Sequence, residues 1–170
     1  MNKRRPHSDQ RSRDKRSHQR RKSRFTFKLS EHFSKKDFMA VDENGKDRVR
    51  ISLGLIGGLE LLRSYAKSRV NIVKGYITQE QAEKEGFLKR NYHPLGLAAD
   101  ITVNDMDPKD VFLLAERIPE FKGIGLDLVE GNVHVDTRKE EERVMWVVDQ
   151  DGRVDLTDKN RSQYFPASDT

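Results

Sequence analysis

His93-Pro-Leu-Gly-Leu-Ala-Ala-Asp100 and, further along the chain, Asn132-Val-His-Val-Asp136 decide how this sequence is read. Both are short apolar segments of strand-like composition that carry imidazole and carboxylate side chains. In Asn132–Asp136 a period of two puts Val133 and Val135 on one face and His134 with Asp136 on the other. With the valines in a core, His134 and Asp136 face a cleft together. Asp100 ends the apolar stretch Leu97-Ala98-Ala99 and precedes Ile101, so its carboxylate is expected to be partly buried. Burial is costly for a carboxylate unless it is paired or metal-bound. Gly96 and the two alanines leave room for other groups to approach. Two imidazoles and a carboxylate make a three-ligand candidate metal site, the number of protein ligands a catalytic zinc typically has. Spacing alone leaves blander roles open: a loop histidine at 93, a strand histidine at 134, and Asp100 as a turn cap or a partner of Arg90.

Working outward, Phe38–Val41 and Val49–Ser52 flank Asp42-Glu-Asn-Gly45, a hairpin signal. Ser52 is placed to cap a helix with Leu55, Ile56, Leu59 and Leu62 on one face. Gly54, Gly57 and Gly58 weaken that helix intrinsically, which predicts close packing against a neighbour. Val70–Tyr76 reads as a strand, and Thr78-Gln-Glu-Gln81 as a capping box opening a short helix through about Lys84. Leu97–Val103 reads as a buried strand. Asp107 and Pro108 suit the cap and first position of a second long helix, whose apolar face is Val111, Leu114 and Ala115. Gly123–Val129 and Asn132–Thr137 are expected as strands joined around Glu130-Gly131, and Val144–Val148 with Arg153–Leu156 as a last hairpin. The class is α+β: a mainly antiparallel sheet flanked by two or three helices, with the metal site on the sheet. Trp146, inside Val144–Val148, is expected in the core, and Glu140-Glu-Glu142 as a solvated loop.

Charge is unevenly placed. Residues 1–25 hold 11 Lys/Arg against 2 Asp/Glu, and the remaining chain 22 against 26. Residues 1–24 are expected to be a disordered basic tail, because they contain too little apolar surface to offset ordering. Such a tail is either plain solvated chain or a tether to an anionic polymer: wall polymer, lipid or nucleic acid. The domain is expected over 25–157, with a flexible extension over 158–170. The absence of cysteine excludes disulfides, thiolate ligands and a cysteine nucleophile. No apolar run reaches the roughly 20 residues of a membrane-spanning helix, and no apolar stretch follows the basic residues to make a secretory signal. The expectation is a soluble monomer made in the cytoplasm.

The quoted segments resemble the zinc D-alanyl-D-alanine carboxypeptidases, a family that includes murein endopeptidases and phage endolysins. Its pattern, S-x-H-x-x-G-x-A-x-D followed by a terminal H-x-D or H-x-H strand, is matched by Asn91-Tyr-His93-Pro-Leu-Gly96-Leu-Ala98-Ala-Asp100, then Gly123-Ile-Gly125, then Val133-His134-Val-Asp136. Phe27-Lys-Leu-Ser-Glu31 resembles the family's entry segment, and the Leu55–Tyr65 helix with Val73-Lys-Gly75-Tyr76 its helix and Gly-Tyr strand. The likeness spans about residues 27–138.

The resemblance implies Zn2+ held by His93, Asp100 and His134. It implies hydrolysis of D-amino-acid-containing peptide bonds in peptidoglycan, with the cell wall as the site of action. Three departures bear on this. Ile77 stands where the family usually has an arginine that holds the substrate, Asn91 replaces a small hydroxyl residue, and Gly131 occupies the usual position of an acidic base. Glu130, Asp127 or Asp136 is the candidate base, Asp136 alternatively orienting a ligand. Arg90, Tyr76 and Arg138 are the candidate substrate contacts. Two other functions remain: a non-catalytic zinc module, as in the Hedgehog signalling domains that resemble the same fold, or a polyanion-binding protein acting through its tail.

Overall fold

The computed structural model describes residues 27–86 and 91–166; the basic segment 1–24 and Arg90 lie outside them. A 3-10 turn at Lys35–Phe38 leads into a small hairpin of β1 (Met39–Val41) and β2 (Asp47–Val49). The Ser52 side chain accepts a hydrogen bond from the Gly54 amide at 3.2 Å and so caps α1, Leu53–Ala66. Its apolar face is fully in the core: Leu55, Leu59 and Leu62 are inaccessible and Ile56 nearly so. The close packing anticipated from the glycines falls on one of them. A Cβ at Gly58 would lie 2.5 Å from the Phe121 ring.

β3 (Val70–Lys74) is followed by α2 (Gln79–Lys84), opened by a capping box in which Thr78 Oγ1 accepts from the Gln81 amide and Gln81 Oε1 from the Thr78 amide. Then come β4 (Ala98–Val103), α3 (Pro108–Ala115) capped by Asp107, β5 (Gly123–Asp127), β6 (Asn132–Asp136), β7 (Val144–Asp149), β8 (Gly152–Asp155) and α4 (Arg161–Tyr164). The buried residues of α3 are Val111, Phe112 and Ala115; Leu114 is only partly covered.

The main sheet has six strands in the order β3-β4-β6-β5-β7-β8. Every pair is antiparallel except β5 with β7, so the sheet is mixed rather than a pure meander. Alternation divides its two faces. Ile101, Val103, Ile124, Leu126, Val133, Val135 and Val147 join the α1 and α3 side chains in one core. The other face carries one continuous row of paired positions: Lys74, Asp100, His134, Gly125, Trp146 and Asp155. Polar groups on that face are therefore aligned by sheet register, while helices cover the opposite side.

The C-terminal stretch differs from the flexible extension expected over 158–170. Residues 158–166 contain α4, and Phe165 stacks on Phe112 with ring centroids 5.1 Å apart and planes 23° from parallel. Arg161 makes a bidentate ion pair with Glu116 at 2.8 and 2.7 Å. A short helix of polar composition is stabilised here by what it packs on, so nothing in its own periodicity announced it.

Candidate metal centre

Asp100 and His134 occupy opposed positions on β4 and β6, and His93 reaches them from the loop before β4. One ligand atom from each lies within 4.8 Å of the others, so these three residues form a group that can hold a metal ion. Asp100 Oδ1 is 2.8 Å from His134 Nδ1 and 3.3 Å from His93 Nε2.

Each ring has a partner on its far side. The Gly75 carbonyl is 2.7 Å from His93 Nδ1. A carbonyl only accepts, so Nδ1 carries the proton and the Nε2 lone pair faces the cluster. Asp136 Oδ2 lies 3.2 Å from His134 Nε2, which donates to it and leaves Nδ1 toward Asp100. Opposite nitrogens of the two rings are thus turned to the same point. Outer hydrogen bonds of this kind commonly orient metal-binding imidazoles.

The loop that carries His93 is fixed by its own residues. Asn91 Oδ1 accepts from the His93 amide at 3.0 Å, so the asparagine makes a local side-chain turn. Gly96 has φ +69° and its carbonyl accepts from the Ser52 amide at 2.7 Å; a Cβ there would collide with the Arg50 backbone. Gly96 thus both turns the chain and ties the loop to the start of α1.

Electrostatics follow from this geometry. Burial alone would push Asp100 up, but hydrogen bonds and charge from His134 and His93 hold it well below the usual carboxylate range. Burial likewise opposes charge on His134, yet Asp100 and Asp136 outweigh it and raise its pKa to about 9. Asp136 is inaccessible, and Arg138 and His134 overcome its burial to lower it to about 2. The donor set of two imidazole nitrogens and one carboxylate oxygen, each ring held from behind, suits a divalent first-row metal ion, zinc included.

The remaining candidates are placed as follows. Asp127 Oδ1 accepts from the Val129 and Glu130 amides at 2.9 and 2.8 Å and so caps the β5–β6 turn. Glu130 is exposed in that turn, where Gly131 at φ +70° reverses the chain. The turn begins beyond Asn132, itself about 7 Å along the strand from His134. Neither residue belongs to the cluster as it stands. Asp136 adjoins it but is gripped by Arg138, through Nε at 2.8 Å and Nη2 at 2.6 Å. Arg138, read from sequence as a substrate contact, is buried in that pair. Tyr76 is half-buried directly after Gly75, and Ile77 is buried.

Trp146 is buried, but on the face of the sheet that carries the site and not among the side chains of the hydrophobic core. Its indole lies where a Gly125 Cβ would sit, and its ring centroid is 5.2 Å from that of His134. Expected in the core from its sequence, it is buried beside His134 instead. That depends on the parallel pairing of β5 with β7, which no local pattern encodes.

The described residues define an α+β protein with a His–Asp–His group on the sheet face opposite its hydrophobic core. Comparison with known protein families, curated proteins and solved structures finds no match. No helix among the described residues is long and apolar enough to cross a membrane.

Proposed function

We propose that this chain is a zinc-dependent peptidase acting on D-amino-acid-containing peptides of peptidoglycan. The observation that carries the reading is the convergence of His93, Asp100 and His134, with donor atoms within 4.8 Å of one another. The peptide substrate and the cell wall as site of action rest on the sequence resemblance over residues 27–138. Zinc bound there supplies Lewis acidity, polarising a peptide carbonyl and making water easier to deprotonate.

This chain's residues supply the rest. Gly75 and Asp136 hold the two imidazoles in orientation, and Trp146 walls one side of His134. Glu130 is the proton acceptor of this reading. It is the one carboxylate of the three named from sequence that makes no side-chain hydrogen bond among the described residues. The basic segment 1–24 supplies an electrostatic tether to anionic polymer.

A second reading, a zinc-binding module without turnover, is favoured by one observation: Asp136 and Asp127 are both committed to partners. One experiment separates the two. Metal content of the purified chain is measured beside Asp100→Ala and His134→Ala, and the zinc-loaded protein is then incubated with soluble peptidoglycan stem peptides. About one zinc per chain, lost in both variants, with cleavage of the peptides supports the peptidase. Zinc without cleavage of any stem or bridge peptide leaves the binding module, and a folded chain that takes up no zinc overturns both.

A further inference from the structure

We propose that Arg138 is a positioning residue for the metal centre, gripping Asp136 and seating against Tyr92 so that the His134 ring and the His93 loop are held in one frame. The inference rests on the metal-binding reading above and adds a residue to it.

Asp136 is wholly inaccessible, and its carboxylate accepts from Arg138 Nε, Nη2 and the Arg138 backbone amide at 2.8, 2.6 and 3.1 Å. A planar fork bound at two oxygens fixes the plane of the carboxylate as well as its charge. Oδ2, one of those two oxygens, is the atom 3.2 Å from His134 Nε2. The rotation of the imidazole is therefore set by a group that Arg138 holds rigid.

The guanidinium also faces the loop that carries the other histidine. Its central carbon lies 4.5 Å from the centroid of the Tyr92 ring, and Tyr92 immediately precedes His93. The Tyr92 hydroxyl donates to Glu140 Oε1 at 3.1 Å, which fixes the ring from its far end. One cation thus contacts both the β6 strand and the loop, and these carry two of the three ligands. The sheet leaves space for it: a Cβ at Gly123 would collide with both the Asp136 carboxylate and the Arg138 guanidinium.

The test compares wild type with Arg138→Ala and Arg138→Lys. Three quantities are read: zinc affinity by competition with a chromophoric chelator, the visible absorption of the cobalt-loaded protein, and the melting temperature of the chelator-treated protein. Arg138→Ala is expected to weaken zinc binding roughly 10- to 100-fold, as loss of an outer partner commonly does, and to shift the cobalt bands. Arg138→Lys keeps a positive charge beside buried Asp136 but not the fork. It is expected to fold, bind zinc about tenfold more weakly than wild type, and show altered cobalt bands.

An ion pair with a structural role alone would lower the melting temperature and leave zinc affinity and cobalt spectrum at wild-type values. That result in either variant that folds overturns the proposal. A wild type that binds zinc beside variants that bind it equally sinks this inference alone, whereas a wild type that binds none sinks the metal reading with it.

Discussion

Asp100 Oδ1 and His134 Nδ1 stand 2.8 Å apart across the β4–β6 register, and both are atoms a metal would take. A proton on Nδ1 therefore competes with metal for one position. In metal-free protein His134 titrates at about 9, above its ordinary 6.5. Its contribution to stability is present below the unfolded value and is lost as pH rises through about 9. Asp100 and Asp136 are lowered, so their contribution is present above the ordinary 3.8 and is lost on acidification toward about 2. Melting temperature of chelator-treated protein is expected to be highest between these limits and to fall on both sides. Zinc affinity should rise about tenfold per pH unit between 6.5 and 8.5, because binding displaces one proton. A flat affinity over that range would show that His134 carries no such proton.

Glu130→Gln separates binding from turnover. The side chain is exposed and remote from the cluster, so zinc content and melting temperature should match wild type within error. Loss of a general base typically costs 10²–10⁴-fold in rate, and that is the expected fall in kcat on stem peptides. An unchanged rate would move the proton acceptor elsewhere.

Local chemistry announced most of this fold. Ser52, Thr78 and Asp107 each cap the helix expected of them, and period-two alternation assigned Val133 and Val135 to the core and His134 to the opposite face. What escaped was set by distant pairing. The parallel β5–β7 register that brings Trp146 beside His134 leaves no trace in either strand. The Arg138–Asp136 pair was legible only as two residues of opposite charge at a spacing of two. Whether Arg138 faced substrate or Asp136 depended on the room that Gly123 leaves. Glu130 adjoins Gly131, the position of the base in the family that the sequence resembles, but sequence distance says nothing about how far a hairpin tip extends beyond a ligand.

Gly125→Ala tests whether Trp146 belongs to the site. The added methyl falls on the indole, which has to move, since both positions are paired in the sheet and the backbone is held. Overpacking of this kind costs about 1–3 kcal/mol. Trp146 is the single tryptophan, so its fluorescence reports the displacement directly. The expectation is a red-shifted emission and a lower melting temperature, with weaker zinc binding because the His134 ring loses its wall. Normal emission would mean that the indole tolerates the methyl where it stands.

The C-terminal helix is expected to be part of the folding unit. Phe112 is fully buried, and Phe165 covers it while Arg161 pairs with Glu116, the residue that follows α3. Truncation after Thr157 removes the stacked ring and leaves Glu116 without its bidentate partner. Phe165 is only partly buried, so Phe165→Ala alone should cost about 1–2 kcal/mol, less than the 3–5 kcal/mol typical of a fully enclosed phenylalanine. The truncation should cost more than the point variant, because it removes ring and ion pair together. Chemical denaturation of the three proteins measures both steps. Equal midpoints would return residues 158–166 to the status of a flexible extension; a graded loss would place the end of the domain at Phe165, with α3 held between the sheet and α4.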